Sequence, residues 1–206
     1  SAAGLLNVPS IPKIPGMDRF KGPLFHSARW DHSLDLKGKA VAVIGTGASG
    51  QQIVPAIAAD VAKLVVFQRS PHWVRPNPLI FKTVSDNWKW ALANIPYYNK
   101  WYRFLLLWAT SDGLLPQMRT DPSWTNPLSL NAENQRIREW LEGNIRQQVN
   151  GDAELIAKVT PKFPPYGKRM LRDGGYLKTL TRDNVDLVTG RIQTFTETGI
   201  VDENGV

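Results

Sequence analysis

The stretch Lys39-Ala40-Val41-Ala42-Val43-Ile44-Gly45-Thr46-Gly47-Ala48-Ser49-Gly50 decides the fold, because it runs from an apolar segment straight into a glycine-rich turn. Lys39 to Gly45 is a short continuous apolar run, the pattern of a buried parallel strand. Ala48 to Asp60 has helical character, and Lys63 to Gln68 reads as the next strand, which together make a β-α-β unit. G-x-G-x-x-G alone recurs by chance, but here it follows a strand and opens a helix, the context that gives it meaning. Gly45 permits the tight turn, Gly47 lets the backbone approach a pyrophosphate, and Gly50 lets helix and strand pack closely. Backbone N–H groups at the helix start then face the phosphate charge. Gly45, Thr46, Gly47, Ala48, Ser49, Gly50 and Gln51 are the expected dinucleotide-binding residues. A glycine-rich turn without a ligand stays open as the plainer reading.

The end of the second strand bears on which dinucleotide. An NAD site places an acid there to bind the ribose hydroxyls. This sequence places Gln68-Arg69-Ser70. A guanidinium binds a 2′-phosphate bidentately where an acid repels it, so Arg69 and Ser70 point to NADP. A solvated arginine after a strand is the alternative.

Outward from this unit, residues 1 to 23 hold Pro9, Pro12, Pro15 and Pro23 among small residues, a composition that makes an extended connector. Arg69 to Leu79, with three prolines, reads as a loop. Residues from about 85 to 149 read as a helical insertion, with helices expected over Ser85 to Asn94, Asn99 to Thr110 and Asn131 to Gln148. In the last, Ile137, Trp140, Leu141 and Ile145 share one face, and Arg136, Arg138, Glu139 and Glu142 lie off it. Tyr176 to Thr181 suggests a short helix, Val185 to Val188 a strand of the sheet, and Arg191 to Thr196 with Gly199 to Val201 a pair of alternating strands. Asp202-Glu203-Asn204-Gly205 supplies turn chemistry just before the sequence stops at Val206, so a piece of a longer protein is expected. The expected fold is α/β: a three-layer Rossmann-like NADP-binding domain, its central parallel sheet joined by an antiparallel meander. The expected division is a linker over 1–36, the Rossmann-like domain over 37–79 and 156–206, and the insertion over 80–155.

The 206 residues suffice for one domain with an insertion. A net charge of +7 raises nucleic acid or an anionic membrane as partners, yet the basic residues are scattered and form no stripe. A surface suited to anionic cofactors is expected, with no nucleic acid bound. Cysteine is absent, which excludes disulfides, thiol catalysis and thiolate metal sites. His26, His32 and His72 fit no metal-ligand spacing, so no metal is expected. Trp88 to Ala109 is rich in Trp, Tyr and Leu, but Lys89, Lys100, Arg103 and Pro96 break it, and no membrane span is expected. A soluble, cytoplasmic protein is the expectation.

Ahead of the glycine turn lies Phe20-Lys21-Gly22-Pro23-Leu24-Phe25-His26-Ser27-Ala28-Arg29-Trp30-Asp31. By itself this is a loop with aromatic ends, in which His26 would be a hydrogen-bonded structural histidine. Read as F-x-G-x-x-x-H-x-x-x-W-D, it resembles the signature of Baeyer–Villiger monooxygenases, FAD- and NADPH-dependent flavoenzymes that turn ketones into esters or lactones with O2. The resemblance implies that Phe20, Gly22, His26, Trp30 and Asp31 lie where the chain passes from the flavin domain into the NADP domain. It makes His26 a hinge and gating residue framed by Phe20, Gly22 and Trp30. Pro164-Pro165-Tyr166-Gly167-Lys168-Arg169-Met170 resembles the family's basic motif, closest to its 4-hydroxyacetophenone monooxygenase branch, as do Gln68-Arg69-Ser70-Pro71 and Asp183-Asn184-Val185. It implies Lys168 at the NADP 2′-phosphate and Arg169 as the catalytic cation beside flavin and nicotinamide, an electrostatic role.

The family's earlier G-x-G-x-x-G, for FAD, has no counterpart here. The chain is therefore expected to hold the NADP site, to have the FAD domain of the same protein as its partner, and to be inactive in isolation. A flavin-dependent N- or S-monooxygenase, or an NADP-sensing module without chemistry, remains the alternative. The aromatic helices between Trp88 and Trp108 could line the substrate pocket, shield the flavin or fill a core.

Overall fold

The structure, a computed structural model, describes residues 8–77, 80 and 82–205. The first seven residues of the expected connector, Pro78 and Leu79 of the expected loop, and Val206 lie outside them. The chain divides into two compact units, Ser1–Pro71 with Lys178–Val206, and His72–Leu177.

The first unit is built on the expected β-α-β motif. Strand β1 (Ala40–Ile44), helix α1 (Ala48–Ile57) and strand β2 (Lys63–Phe67) follow one another, and β5 (Val185–Val188) completes a three-stranded parallel sheet in the order β1-β2-β5. The register pairs Ala40 with Lys63 and Ile44 with Phe67, then Leu64 with Val185 and Phe67 with Val188. Central β2 is the most buried strand, with Leu64 and Val66 at 0 % exposure, as is Val54 of α1. Each such side chain contributes about 1.5–3 kcal/mol by leaving water. Asn184 fastens the layers, its amide donating to the carbonyls of Ala58 and Val61 at 2.8 and 3.0 Å.

One strand departs from expectation. β1 is not buried throughout: Ala40, Ala42 and Ile44 are exposed, while Val41 and Val43 are half-buried. It occupies the edge of the sheet, so a continuous apolar sequence marks a strand with one uncovered face. The antiparallel meander is present as β6 (Ile192–Phe195) against β7 (Ile200–Asp202), a two-stranded sheet of its own. The connector docks on it. Phe195 N–H donates to the Pro15 carbonyl at 2.8 Å, Lys21 N–H to the Glu197 carbonyl at 2.9 Å, and residues Met17–Arg19 form a 3-10 turn.

The second unit contains the helices. α2 (Asp86–Asn94) is capped by Ser85, and α3 (Tyr98–Thr110) follows it closely. A short α4 (Leu115–Met118), then α5 (Ala132–Gln148), capped by Asn131, and α6 (Ala153–Val159), capped by Asp152, complete the set before the short α7 (Tyr176–Thr179), within which the division of the chain falls. The stretch read as a proline-rich loop contains a strand, β3 (Val74–Pro76), parallel to β4 (Leu171–Asp173). Proline sits at the end of this short pair, where a missing N–H costs least.

On α5 the buried face overlaps the one read from sequence without matching it: Leu141 and Ile145 are buried as read and Ile137 is half-buried. Asn134 and Arg138 are buried too, whereas Trp140 is 47 % exposed. Polar side chains took the inward positions because backbone carbonyls await them there. On α3 the large apolar side chains are mostly exposed, Trp101, Leu105 and Leu107 each by 60 % or more, so within this chain they fill no core.

Candidate functional site

Three clusters hold the residues singled out by sequence. The first lies at the carboxyl end of β1. Gly45 turns the chain at φ +99°, a conformation that favours glycine, and its N–H donates to the Phe67 carbonyl at 2.9 Å, locking the turn to the end of β2. Gly50 lies against that turn so closely that a Cβ would collide with the Gly45 carbonyl oxygen. Around Gly47, by contrast, a Cβ would meet nothing within 4 Å. The two glycines thus do different work: one seals strand to helix, and the other leaves open space beside the backbone.

Gly47 is the N-cap of α1, and no side chain caps that end. The first-turn N–H groups therefore point outward with the positive end of the helix dipole behind them. Gln51 is 3 % exposed and its Oε1 has no hydrogen-bond partner, while Thr46 is buried and Ala48 and Ser49 are exposed. An open glycine, uncapped N–H groups and an orphaned side-chain amide oxygen fit the diphosphate and adjoining sugar of a dinucleotide. At the end of β2 the Gln68 N–H donates to the Val188 carbonyl at 2.8 Å, and Arg69 is exposed where the strand ends. No carboxylate stands at Arg69's place in the sequence.

The second cluster is the signature loop. His26 caps the 3-10 turn Ser27–Arg29, its Nδ1 accepting from the Ala28 N–H at 3.1 Å. The Phe25 and Trp30 rings meet edge to face at 5.2 Å, and Phe20 meets Phe195 at 5.8 Å. A Cβ on Gly22 would press into the Phe20 ring. Asp31 accepts from the N–H and hydroxyl of Ser33 at 2.9 and 2.6 Å, and these bonds hold its carboxyl below the usual range. The loop is locally self-bonded, with His26 serving as a cap.

The third cluster, in the second unit, is the basic loop. Tyr166 has φ +68°, Gly167 N–H donates to the Pro164 carbonyl at 2.9 Å, and this tight turn exposes Lys168 and Arg169. The Lys168 ammonium lies over the Phe163 ring at 4.8 Å. His72 approaches the same loop. Burial pushes its imidazole below the usual value, the Lys168 charge adds to that, and the Arg169 backbone carbonyl opposes it. Sequence reading missed the supports of this loop, Trp73, Asn134 and Arg138. Only a polar residue at helical spacing among apolar ones could have signalled them, and that signal is indistinguishable from a solvated face. Among the described residues, no cluster of His, Cys, Asp or Glu could hold a metal, and no helix is long and apolar enough to cross a membrane.

Residues 2–84, which hold the signature and the glycine turn, match the flavin-binding monooxygenase-like family. The chain is 37 % identical over its whole length to a Baeyer–Villiger monooxygenase of Pseudomonas aeruginosa, covering 36 % of that protein. These matches make it similar to the flavin-binding monooxygenase-like proteins. An uncharacterized monooxygenase of Sinorhizobium fredii is 43 % identical over 92 % of the chain and 29 % of its own length. Among solved structures, the OTEMO complex with FAD and NADP aligns over 100 % of the chain and 44 % of its own, at TM-score 0.76 and 30 % identity. Cyclohexanone monooxygenase from Rhodococcus sp. Phi1, bound to NADP+, aligns over 99 % of the chain and 43 % of its own, at TM-score 0.74 and 27 % identity. The chain thus spans about a third of the length of the curated monooxygenases it matches.

Proposed function

We propose that this chain is the NADP(H)-binding part of an FAD-dependent Baeyer–Villiger monooxygenase, a cytoplasmic enzyme converting a ketone to an ester or lactone. The observation that carries the reading is the open Gly47 turn at the uncapped start of α1, with Arg69 ending the neighbouring strand. The overall conversion balances as ketone, O2, NADPH and a proton giving ester, NADP+ and water. When bound, NADPH supplies the hydride and FAD the oxygen chemistry.

The chain's own residues have narrower tasks. Gly45 to Gly50 and the first-turn N–H groups of α1 hold the pyrophosphate, and Gln51 offers its amide oxygen to a sugar hydroxyl. Arg69 and Ser70 bind the 2′-phosphate, which sets the preference for NADP over NAD. On the resemblance of its motif, Lys168 is assigned to the nucleotide 2′-phosphate. Arg169 supplies positive charge beside the reacting rings. His26, fixed as a cap, keeps the signature loop in one shape and acts as hinge between this part and the FAD domain of the same protein. The remainder of the NADP-binding architecture is assigned to 37–79 and 156–206, with 80–155 inserted.

Isothermal titration of the full-length enzyme with NADP and with NAD tests the reading. A clear preference for NADP that Arg69→Ala reduces is expected. Equal affinity for the two nucleotides overturns it.

A further inference from the structure

Arg138 is a buried cation that the nucleotide chemistry does not use. It is 8 % exposed on α5, paired with Glu142 at 2.8 Å and stacked over the Trp73 ring at 5.1 Å. Its guanidinium donates to the Leu128 carbonyl at 3.2 Å and, at 3.5 Å, reaches the carbonyls of Phe163 and Pro161. Trp73 joins it there, its indole N–H donating to the Phe163 carbonyl at 2.9 Å. One turn earlier on α5, Asn134 donates to the Pro165 carbonyl at 3.1 Å and to the Gln117 carbonyl at 2.9 Å. Two polar side chains of one helix thus grip the backbone just ahead of Lys168-Arg169.

Stability alone is a weak reason for this arrangement, since burying an ion pair costs desolvation that an apolar substitute avoids. What the pair gives is a fixed backbone path. The Phe163 carbonyl is anchored from one side by Arg138 and Trp73, and the ring of the same residue lies under the Lys168 ammonium.

We propose that Arg138, assisted by Asn134, is a positioning residue that sets the Phe163–Arg169 loop and, through Phe163, places the Lys168 charge for the nucleotide 2′-phosphate. This rests on the function proposed above for Lys168. Lysine at position 138 keeps the charge but loses the planar fork that serves several carbonyls at once.

The test uses the full-length enzyme carrying Arg138→Lys, with Glu142→Gln as a second variant should the first fail to fold. Two readouts are taken: amide hydrogen exchange over residues 161–169 without nucleotide, and dissociation constants for NADP and NAD. Faster exchange in that loop together with an NADP-over-NAD preference reduced about tenfold is expected, the size of one charge-assisted contact. Combining Arg138→Lys with Lys168→Ala should add little to Lys168→Ala alone, because both act through one group. Faster exchange with an intact preference overturns the proposal and leaves a purely structural role. A reduced preference with unchanged exchange, or no change in either, overturns it too. If Lys168→Ala itself leaves the preference intact, the assignment of Lys168 fails, whatever the loop does.

Discussion

The two glycines of the turn offer a crossed experiment, since the structure assigns one to packing and the other to access. A Cβ at Gly50 would meet the Gly45 carbonyl oxygen well inside contact distance, and that oxygen is backbone, fixed by a turn at φ +99°. The clash cannot be relieved by a side-chain rotation, so α1 must move away from the end of β1. Overpacking of this kind costs about 1–3 kcal/mol. For a chain of this size each kcal/mol lowers Tm by about 2–4 °C, so Gly50→Ala should lower it by roughly 2–12 °C. A Cβ at Gly47 meets nothing within 4 Å, and Gly47 has φ −70°, which alanine adopts freely. Gly47→Ala should therefore shift stability by no more than about 0.5–1 kcal/mol in either direction. Its effect should appear in binding, because under the proposed function the added methyl stands where a diphosphate approaches. Thermal melts and NADP titrations of both variants give the answer. A Gly50→Ala protein melting with the wild type, or a Gly47→Ala protein that binds NADP undiminished, would refute the division of labour.

Arg69→Ala should weaken NADP binding by about 1.5–3 kcal/mol, the value of a charge-assisted contact, and leave NAD binding unchanged; parallel titrations check it. Asn184→Ala strips two carbonyls of their shared donor and should destabilise the first unit by about 1–3 kcal/mol in urea unfolding, without altering the second. His72 carries the pH prediction. Its folded-state pKa is held below the ordinary 6.5, first by burial and then by Lys168, so the unfolded chain binds more protons. Stability is therefore full above the ordinary value and is lost as pH falls through it toward the depressed one. Melts between pH 7.5 and 5 should show a decline that His72→Gln flattens, and equal slopes would remove His72 as its cause.

What was legible in the sequence was whatever repeats locally. The strand–turn–helix of Ala40 to Ile57 follows from periodicity plus three glycines, of which Gly45 and Gly50 proved to have geometric reasons, a positive φ and a close approach. β5 and the β6–β7 pair were legible because alternation and turn residues are short-range signals. β3 was not, since Val74-Arg75-Pro76 becomes a strand only by pairing with Leu171-Arg172-Asp173, nearly a hundred residues along. Proline there argued for a loop, and long-range pairing overruled it. The exposure of Ala40, Ala42 and Ile44 was equally invisible, because an apolar run does not say which of its faces is covered.

The α5 face teaches the sharper lesson about sites. Apolar spacing pointed Trp140 inward and Arg138 outward, and the structure reverses both. The reversal is driven by carbonyls rather than by side chains: the backbone of 161–165 passes α5 without forming a strand or helix of its own, so its oxygens must find donors elsewhere. Arg138 and Asn134 supply them, and Trp73 adds its indole N–H. A helix next to an irregular, proline-rich loop should therefore be read for donors on its inner face as well as for apolar spacing. Here the loop so served is the one that presents Lys168 and Arg169. Under the role proposed for Lys168, the need to satisfy irregular backbone and the need to fix that charge converge on the same buried guanidinium.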